Sequence, residues 1–387
     1  MTSAVRAARL EAVELRRVRL PLVQPFRTSS GVWSERDVLL LRVITTGSEG
    51  WGECVAPGEP TYSPEYVDGC QHVIREHLLP RLIAGAAAGA VAAADVAGVL
   101  RPVVGHRMAK AAIEMAVLDA ELRARGESFA AHLGAVREAV DCGVAIGLQE
   151  SADRLLAVVE ECLSAGYRRI KLKIAPGSDV EPVRAVRERF GPDVPLQVDA
   201  NAAYTLADAS RLAELDAFGL LLIGQPLPED HLLDHAELAR TLRTPVCLDE
   251  SIVSAIGARD AIALGACSVV NVKPGRVGGY LEARRVHDVC QARAVPVWCG
   301  GMLETGLGRA GNVALAALPN FSLAGDLSPS ERYFHEDLTE PFVMQDGRLR
   351  VPDGPGLGVA PEPGRLAEFT TAVETVSART SVRVGGP

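Results

Sequence analysis

Short apolar runs recur through the middle of the chain, and amphipathic helical segments such as Ala152–Ala165 and Asp179–Phe190 separate most of them. Strands that alternate with helices about eight times at this spacing are typical of a (β/α)₈, or TIM-like, barrel. We therefore expect an α/β barrel over residues 136–337. The predicted barrel strands are Gly143–Leu148, Arg169–Ile174, Leu196–Ala200, Leu220–Gln225, Val246–Asp249, Val269–Lys273, Val295–Trp298 and Phe321–Ala324.

The chain before residue 136 has a different pattern, with β-rich segments first and helical spacing afterwards. Predicted strands cover Val13–Leu20, Asp37–Thr46 and Trp51–Val55, and turn residues separate them. Apolar residues recur at helical spacing in Ala109–Arg125. We expect an α+β capping domain over residues 1–135. Residues 338–387 combine Pro and Gly turns with short strand-like runs, and we expect them to return to that domain.

A doubly wound open sheet is the competing fold. Such a sheet carries a glycine-rich phosphate-binding turn after its first strand, and no such turn follows Gly143–Leu148. The glycines at Gly354, Gly356 and Gly358 lie far down the chain and precede no clear helix. The pattern therefore favours the barrel.

Composition limits the partners and the compartment. The 387 residues are 48% hydrophobic with a formal charge of −9, and Lys and Arg do not cluster as in nucleic-acid-binding proteins. The eight cysteines are scattered without a Cys-x-x-Cys pair, which predicts reduced core thiols in a cytoplasmic protein. Leu82–Leu100 is mostly Ala and Gly and predicts helix and loop, not a membrane span. We expect a small-molecule carboxylate substrate, no nucleic-acid or membrane partner, and a homo-oligomer.

Charged residues stand at the carboxyl ends of the predicted barrel strands, where active sites of such barrels form. Taken singly, each is most simply a solvated surface charge, but burying several charges without a function is costly. Together they predict one site with two acids and two lysine-bearing strand ends. The four ends, in chain order, are Lys171-Leu172-Lys173, Val198-Asp199-Ala200-Asn201, Leu248-Asp249-Glu250-Ser251 and Asn271-Val272-Lys273-Pro274.

This set suits removal of a proton alpha to a carboxylate. The resulting ene-diolate needs a divalent cation, and the reaction needs a base of lowered pKa. Strand alternation places Lys171 and Lys173 on one face, and a like charge that close predicts a lowered pKa for Lys173. Asp199 offers the hard oxygen ligand that Mg²⁺ prefers.

These strand ends resemble the muconate-lactonizing subgroup of the enolase superfamily. Further motifs make the chain similar to the o-succinylbenzoate synthase / N-succinylamino acid racemase family within it, over nearly the whole chain. They are Tyr62-Ser63-Pro64-Glu65-Tyr66, Lys273-Pro274-Gly275-Arg276, Gly300-Gly301-Met302-Leu303-Glu304-Thr305-Gly306 and Arg332-Tyr333-Phe334.

The resemblance implies a role for each matching residue. Lys173 and Lys273 would be the acid/base pair on opposite faces of the substrate, and Asp199 and Asp249 would bind Mg²⁺ or Mn²⁺. In the synthase reaction Lys173 would be the base while Lys273 stays cationic. The other implied residues are Lys171, Asn201, Glu250 and Arg276 as supporting groups, the lid Pro25–Gly31 with Tyr62, and Gly301, Met302 and Leu303 on the acyl side.

One position departs from the family pattern. The fourth strand reads Leu222-Ile223-Gly224-Gln225-Pro226, where the family has a glutamate metal ligand just before the Gln. Gly224 has no side chain to coordinate with, and alternation predicts that Gln225 points to the other face. Glu229 or Asp230 is a candidate replacement ligand.

Several alternatives stay open at the level of sequence. A muconate-type cycloisomerase has similarly placed lysines, and a catalytically impaired relative would explain Gly224. A dipeptide epimerase is disfavoured because Asp326-Leu327-Ser328 stands where those enzymes carry Asp-x-Asp. Mandelate-racemase chemistry would want a histidine at Lys273. A Schiff-base aldolase would use Lys173 but leaves the two aspartates unexplained.

Overall fold

The computed structural model describes residues 9–28, 31–87 and 92–378. The predicted barrel with an α+β capping domain is confirmed, because a four-stranded antiparallel sheet accompanies a seven-stranded parallel sheet. All eight cysteines are buried free thiols, as expected. Within these three ranges, no helix combines the length and apolar character that crossing a membrane requires.

The capping domain is built on a sheet of strand order β13-β1-β2-β3. Val18, Leu20 and Leu22 are buried while Arg19 and Pro21 between them are exposed, as expected for a strand with one face on a core. The strands are β1 (Leu10–Thr28), β2 (Gly31–Thr45), β3 (Ser48–Cys54) and β13 (Thr370–Ser377). The helices are α1 (Val67–Val73), α2 (Leu79–Ala87), α3 (Ala93–Leu100), α4 (Arg107–Arg125) and α5 (Phe129–Leu133).

Helix α4 packs directly on β3, and two glycines make that approach possible. A Cβ on Gly50 would lie 2.3 Å from the Ala116 carbonyl oxygen, and a Cβ on Gly52 would lie 2.0 Å from the Ala112 carbonyl oxygen. Any larger residue at either position would push the helix off the sheet. This contact fixes the carboxyl end of β3, which faces the barrel.

The parallel sheet runs β5 to β11 in sequence order. Its strands are β5 (Gly143–Ile146), β6 (Arg169–Lys173), β7 (Leu196–Asp199), β8 (Ile223–Gly224), β9 (Val246–Leu248), β10 (Val269–Val272) and β11 (Val297–Cys299). The helices are α6 (Ala152–Ser164), α7 (Val180–Phe190), α8 (Ala209–Ala213), α9 (Leu232–Thr241), α10 (Ala255–Leu264), α11 (Pro274–Val277), α12 (Tyr280–Gln291) and α13 (Gly306–Ala316). A two-residue β8 is shorter than predicted.

The eighth predicted strand, Phe321–Ala324, is not a strand in the structure. Isolated parallel bridges join Val297 to Phe321 and Cys142 to Gly325 instead. The Gly143 amide donates to the Gly325 carbonyl at 2.8 Å, which ties this segment to the first barrel strand. The barrel therefore closes through single bridges rather than a full ladder.

A small apolar cluster lies inside the barrel below the site. Trp298 packs with Leu222, Cys247 and Val269, and its indole Nε1 donates to the Cys247 sulfur at 3.3 Å. This layer supports the charged strand ends above it and excludes water from beneath them.

The chain's end lies against both parts of the molecule. Strand β12 (Arg348–Arg350) pairs with β4 (Ala139–Asp141), and α14 (Pro363–Phe369) leads into β13, which pairs antiparallel with β1. The domain limits at residues 135 and 337 stay predictions. The segment 88–91 of the predicted Leu82–Leu100 helix and loop lies outside the described residues.

Candidate active site

Lys173, at the end of β6, is held by groups from the next strand. It lies in register with Asp199 on β7, and its Nζ donates to the Asp199 Oδ2 at 2.8 Å and to the Asn201 Oδ1. Asn201 adopts a left-handed backbone with φ of 44°, directly after the strand. That turn directs the amide side chain back toward the lysine.

Lys273 follows β10 and has its own set of partners. Its Nζ donates to the Asp249 Oδ2 at 2.7 Å and to the Tyr62 hydroxyl at 3.0 Å. The Asn271 amide also donates to the Asp249 Oδ2, at 2.9 Å. Because β10 lies four strands from β6 in the sheet order, the two lysines approach the barrel mouth from opposite sides.

The surroundings push the two lysine pKa values apart. Burial and the like charge of Lys171 lower the pKa of Lys173, against the opposing effect of Asp199. The predicted direction is confirmed, although burial outweighs the neighbouring lysine as its cause. Burial also acts to lower the pKa of Lys273, but Asp249, Tyr62 and Glu250 outweigh it and raise that pKa well above its ordinary value.

Lysine is rare in this chain, which makes its placement informative. The sequence contains only four, and Lys171, Lys173 and Lys273 are three of them, while Lys110 is on α4. Arginine, which supplies most of the positive charge, cannot lose its proton in a protein. Three of the four lysines that could act as an amine base therefore lie in this site. Counting lysines along the sequence would have given this signal.

Lys171 is not free to act as a base. Its Nζ lies 3.1 Å from the Asp199 Oδ2 and donates to the Asp326 carboxylate, whose other oxygen lies 2.8 Å from Arg169. Both cations stack on Trp298, at 5.0 Å for Lys171 and 5.2 Å for Arg169. Burial works against this charge, yet Asp326 and Asp199 outweigh it and raise the pKa of Lys171.

Asp326 was not assigned to the site from the sequence, although it pairs there with Lys171 and Arg169. It stands two residues beyond the last predicted strand, and its position at a strand end was the available signal.

Glu250 and Arg276 form the rim next to Asn201. The Asn201 Nδ2 donates to the Glu250 Oε1 at 2.9 Å, and the Arg276 guanidinium donates to the Glu250 carbonyl. Arg276 also contacts Glu229 at 3.3 Å and lies over the Tyr62 ring. Of the two candidate replacement ligands, Glu229 therefore pairs with Arg276, while Asp230 is largely exposed.

The carboxylates fit a divalent cation in part. Within the described residues, the Asp249 Oδ1 and the Glu250 Oε2 are buried without a hydrogen-bond partner, as expected of oxygens that a cation would satisfy. Gly224 lies in register with Asp199 and supplies no side-chain oxygen. The same described ranges hold no group of three or more His, Cys, Asp and Glu side chains arranged for a metal. The residues present thus offer two aspartates and the Glu250 carboxylate to a cation, without a side chain at residue 224.

Gln225 points away from the lysines, as predicted. Its amide oxygen accepts from the Asp249 amide at 3.0 Å and its Nε2 donates to the Ser251 hydroxyl at 2.8 Å. The side chain therefore braces the strand end that carries Asp249.

A cavity of about 60 Å³ lies between the lysines. A second cavity of about 690 Å³ lies beside it, and the two share Phe26, Ala145 and Tyr333 as walls. Of the predicted lid Pro25–Gly31, residues 29 and 30 and the side chains of residues 27–31 lie outside the described residues. The small cavity is lined by the predicted Tyr62, Gly301, Met302 and Leu303, and by Phe26, Trp33 and Tyr333.

Comparison with known proteins agrees with this geometry. Residues 11–134 match the mandelate racemase / muconate lactonizing enzyme N-terminal domain, and residues 154–365 match the enolase C-terminal domain-like family. The chain is 65% identical over 364 residues to an N-succinylamino acid racemase of Amycolatopsis sp, covering 94% of this chain and 98% of that one. It is 45% identical over 366 residues to an o-succinylbenzoate synthase of Geobacillus kaustophilus, covering 94% and 96%. A crystal structure of an enolase-superfamily member from Listeria innocua has a TM-score of 0.92 at 38% identity, covering 96% and 100%.

Proposed function

The chain belongs to the enolase superfamily, and on that premise we propose that it is an enzyme that racemises N-acylamino acids such as N-succinylamino acids. The observation that carries this proposal is the pair of lysines on opposite sides of one cavity, both largely shielded from solvent and each hydrogen-bonded to its own aspartate. Racemisation needs a proton carrier on each face of the alpha carbon, and a one-sided site would not supply both.

The lysines perform the proton transfers. Neutral Lys173 removes the alpha proton from one face and becomes an ammonium, and the Lys273 ammonium returns a proton to the opposite face. For the other enantiomer the two lysines exchange roles. General acid–base catalysis by positioned groups typically contributes about 10²- to 10⁴-fold. Burial of both amines keeps water from competing for the proton.

Enolase-superfamily enzymes use a divalent metal, and we propose Mg²⁺ or Mn²⁺ here, with Asp199 and Asp249 as its protein carboxylates. When bound, the ion would neutralise the negative charge that develops on the substrate carboxylate. Asp199 and Asp249 also pair with the lysines, so they orient the acid/base groups and the substrate together. Glu250, Asn201, Lys171 and Arg276 keep these groups in place.

The remaining parts of the substrate have distinct surroundings. We place the acyl group against Gly301, Met302 and Leu303. A cavity of about 60 Å³ cannot enclose an N-acylamino acid, so the amino-acid side chain extends past Phe26 and Tyr333 toward the larger cavity.

An o-succinylbenzoate synthase activity is the second candidate, and the asymmetry of the lysines favours it. That reaction needs one base and one lasting cation, and the pKa of Lys173 is lowered while that of Lys273 is raised. The same site would then remove the proton with Lys173 and hold negative charge with Lys273.

Paired assays test both functions. Purified protein with Mg²⁺ or Mn²⁺ would be given each enantiomer of an N-succinylamino acid, with racemisation followed by polarimetry, and separately the synthase substrate. We expect racemisation of both enantiomers. Absence of racemisation together with synthase turnover would exclude the first function and support the second.

The homo-oligomeric state and the cytoplasmic location stay predictions. Sedimentation of the purified chain tests the oligomeric state.

A further inference from the structure

Glu53 is a buried carboxylate that the proton-transfer chemistry does not use. It lies at the carboxyl end of β3 in the capping domain and is 3% exposed. Its side chain crosses to the barrel, where its Oε1 accepts from the Thr305 amide at 3.0 Å and its Oε2 from the Thr305 hydroxyl at 2.6 Å and the Gly308 amide at 2.9 Å. The two residues it holds start helix α13.

This contact satisfies the amino-terminal end of α13. The first amide groups of a helix have no partner within the helix, and its macrodipole favours a negative charge there. Asp337 accepts the Gly306 amide at 2.8 Å at the same helix end. A carboxylate from another domain therefore fixes both the position and the direction of the helix start.

The segment just before that helix lines the substrate cavity. Gly301, Met302 and Leu303 face the cavity, and Leu303 has a left-handed φ of 56°, a conformation that costs free energy for a non-glycine residue. Such a backbone persists only where its surroundings hold it. Only Glu304 separates this segment from Thr305.

Two further buried charged residues, Arg36 and Glu304, lie between Glu53 and the residues that line the cavity. Arg36 on β2 is 2% exposed, and the negative charges of Glu53 and Glu304 oppose the effect of burial on its guanidinium most strongly. The Arg36 guanidinium lies 5.8 Å from the ring of Trp33, which lines the cavity. The capping domain thus contributes Trp33 to the cavity lining and Glu53 to the start of the helix that follows the Gly301–Leu303 segment.

We propose that Glu53 is a positioning residue that sets the affinity and selectivity for the acyl group by holding Gly301–Leu303 from behind. This inference rests on the proposed function, because it takes that segment as the acyl-binding wall. Glu53 touches no reacting atom. Its removal should therefore displace the wall and leave the proton transfers largely unchanged.

Glu114 provides a matched control. It is also a buried capping-domain carboxylate, and it also accepts from the start of a barrel helix, the Leu281 amide of α12, at 3.4 Å. Helix α12 does not carry the cavity wall. Glu53→Gln and Glu114→Gln each alter a buried acid that bridges the capping domain and a barrel helix, and only the first lies behind the acyl side.

The experiment compares KM and kcat for N-succinyl and N-acetyl forms of one amino acid. We expect Glu53→Gln to raise KM for the N-succinyl form about tenfold or more and to reduce the preference for it over the N-acetyl form, because each methylene group that a pocket no longer contacts typically costs about tenfold or more. We expect kcat to change less than about threefold and Thr305→Ser, which keeps both donors, to behave as wild type. Glu114→Gln should keep the acyl preference. Equal selectivity in the Glu53 and Glu114 variants would overturn the proposal.

A second measurement separates this proposal from the proposed function. Hydrogen–deuterium exchange should show faster exchange of the residue 300–308 amides in Glu53→Gln and not in Glu114→Gln. If the wild type racemises no N-acylamino acid but this difference appears, the proposed function fails and the positioning of the segment stands. If exchange in that segment is unchanged, Glu53 does not position it.

Discussion

Gly224 and Asp199 lie side by side on adjacent barrel strands, and a Cβ placed on Gly224 would lie 3.7 Å from the Asp199 Cβ. The nearest atom to that Cβ would be the Val198 carbonyl oxygen at 3.4 Å, an ordinary van der Waals distance. A Cβ at residue 224 would thus make ordinary contacts only, beside the Asp199 side chain. Residue 224 is therefore a position where a third carboxylate could stand beside Asp199 and Asp249, and this chain has glycine there.

We predict that Gly224→Glu tightens Mg²⁺ binding and raises activity together. Mg²⁺ prefers near-octahedral oxygen coordination, and water at a vacant position brings no charge. Loss of one charged electrostatic element often costs about 10²-fold or more in rate, so the gain should be large. Calorimetric titration of metal, alongside racemisation rates, measures both effects.

Gly98→Glu is the control for that substitution, because Gly98 is exposed on α3 with open space around its Cα. It adds the same charge far from the barrel strands and should leave metal affinity unchanged. Unchanged or weaker metal binding in Gly224→Glu would show that residue 224 is not the position of a missing metal ligand.

We predict that Lys173→Arg and Lys273→Arg each abolish racemisation. Arginine preserves the positive charge beside Asp199 or Asp249 but cannot give up a proton to become a base. In D₂O, each variant should still exchange the alpha proton of one enantiomer, the one whose proton faces the lysine that remains. Mass spectrometry of recovered substrate measures this directly.

Lys110→Arg is the matched control, since Lys110 is the fourth lysine and donates to the Val103 carbonyl on the capping domain. It should racemise as wild type does. Wild-type racemisation by either active-site variant would remove that lysine from the mechanism.

We predict that Asp326→Asn is strongly destabilising and lowers activity. Without the carboxylate charge, Arg169 and Lys171 become buried cations that have lost their principal partner, and breaking a buried pair typically costs about 3–5 kcal/mol. Asp141→Asn removes an exposed pair with Arg348 at 2.8 Å and should cost about 0–1 kcal/mol. Urea unfolding of both variants provides the comparison. A loss for Asp326→Asn as small as that for Asp141→Asn would show that the pair contributes little.

We predict that Glu114 makes the protein less stable as pH rises. Burial raises the pKa of Glu114 to about 8, well above the 4.5 of an ordinary glutamate. The native state then holds a proton that the unfolded chain has released, so stability falls between about pH 4.5 and pH 8, by up to roughly 4 kcal/mol. Unfolding free energies of Glu114→Gln should depend less steeply on pH in that window.

Glu188→Gln, on the exposed face of α7, serves as the reference for this pH series. It should follow the wild-type curve. If Glu114→Gln has the wild-type slope as well, Glu114 is not protonated in the native state near neutral pH.

The order of the apolar runs along the sequence was enough to predict the barrel fold and to predict which residues lie together at its mouth. Parallel strands bring their carboxyl ends to one mouth, so the positions of Lys173, Asp199, Asp249 and Lys273 in sequence were enough to place them together. Periodicity is a local property of the chain, so it can be identified without knowing which residues contact each other in the folded structure. The missing carboxylate at Gly224 could be identified in the same way.

The partners of these charges were decided only by the tertiary structure. Asp326 meets Lys171 across 155 residues, and Glu53 meets Thr305 across 252. No local pattern encodes such pairs, because a buried charge is stabilised by whichever opposite charge or amide the packing brings within reach. Closure of the barrel through single bridges at Phe321 and Gly325 also depends on long-range contacts, since the tertiary context decides whether a run with strand-like residues forms a strand.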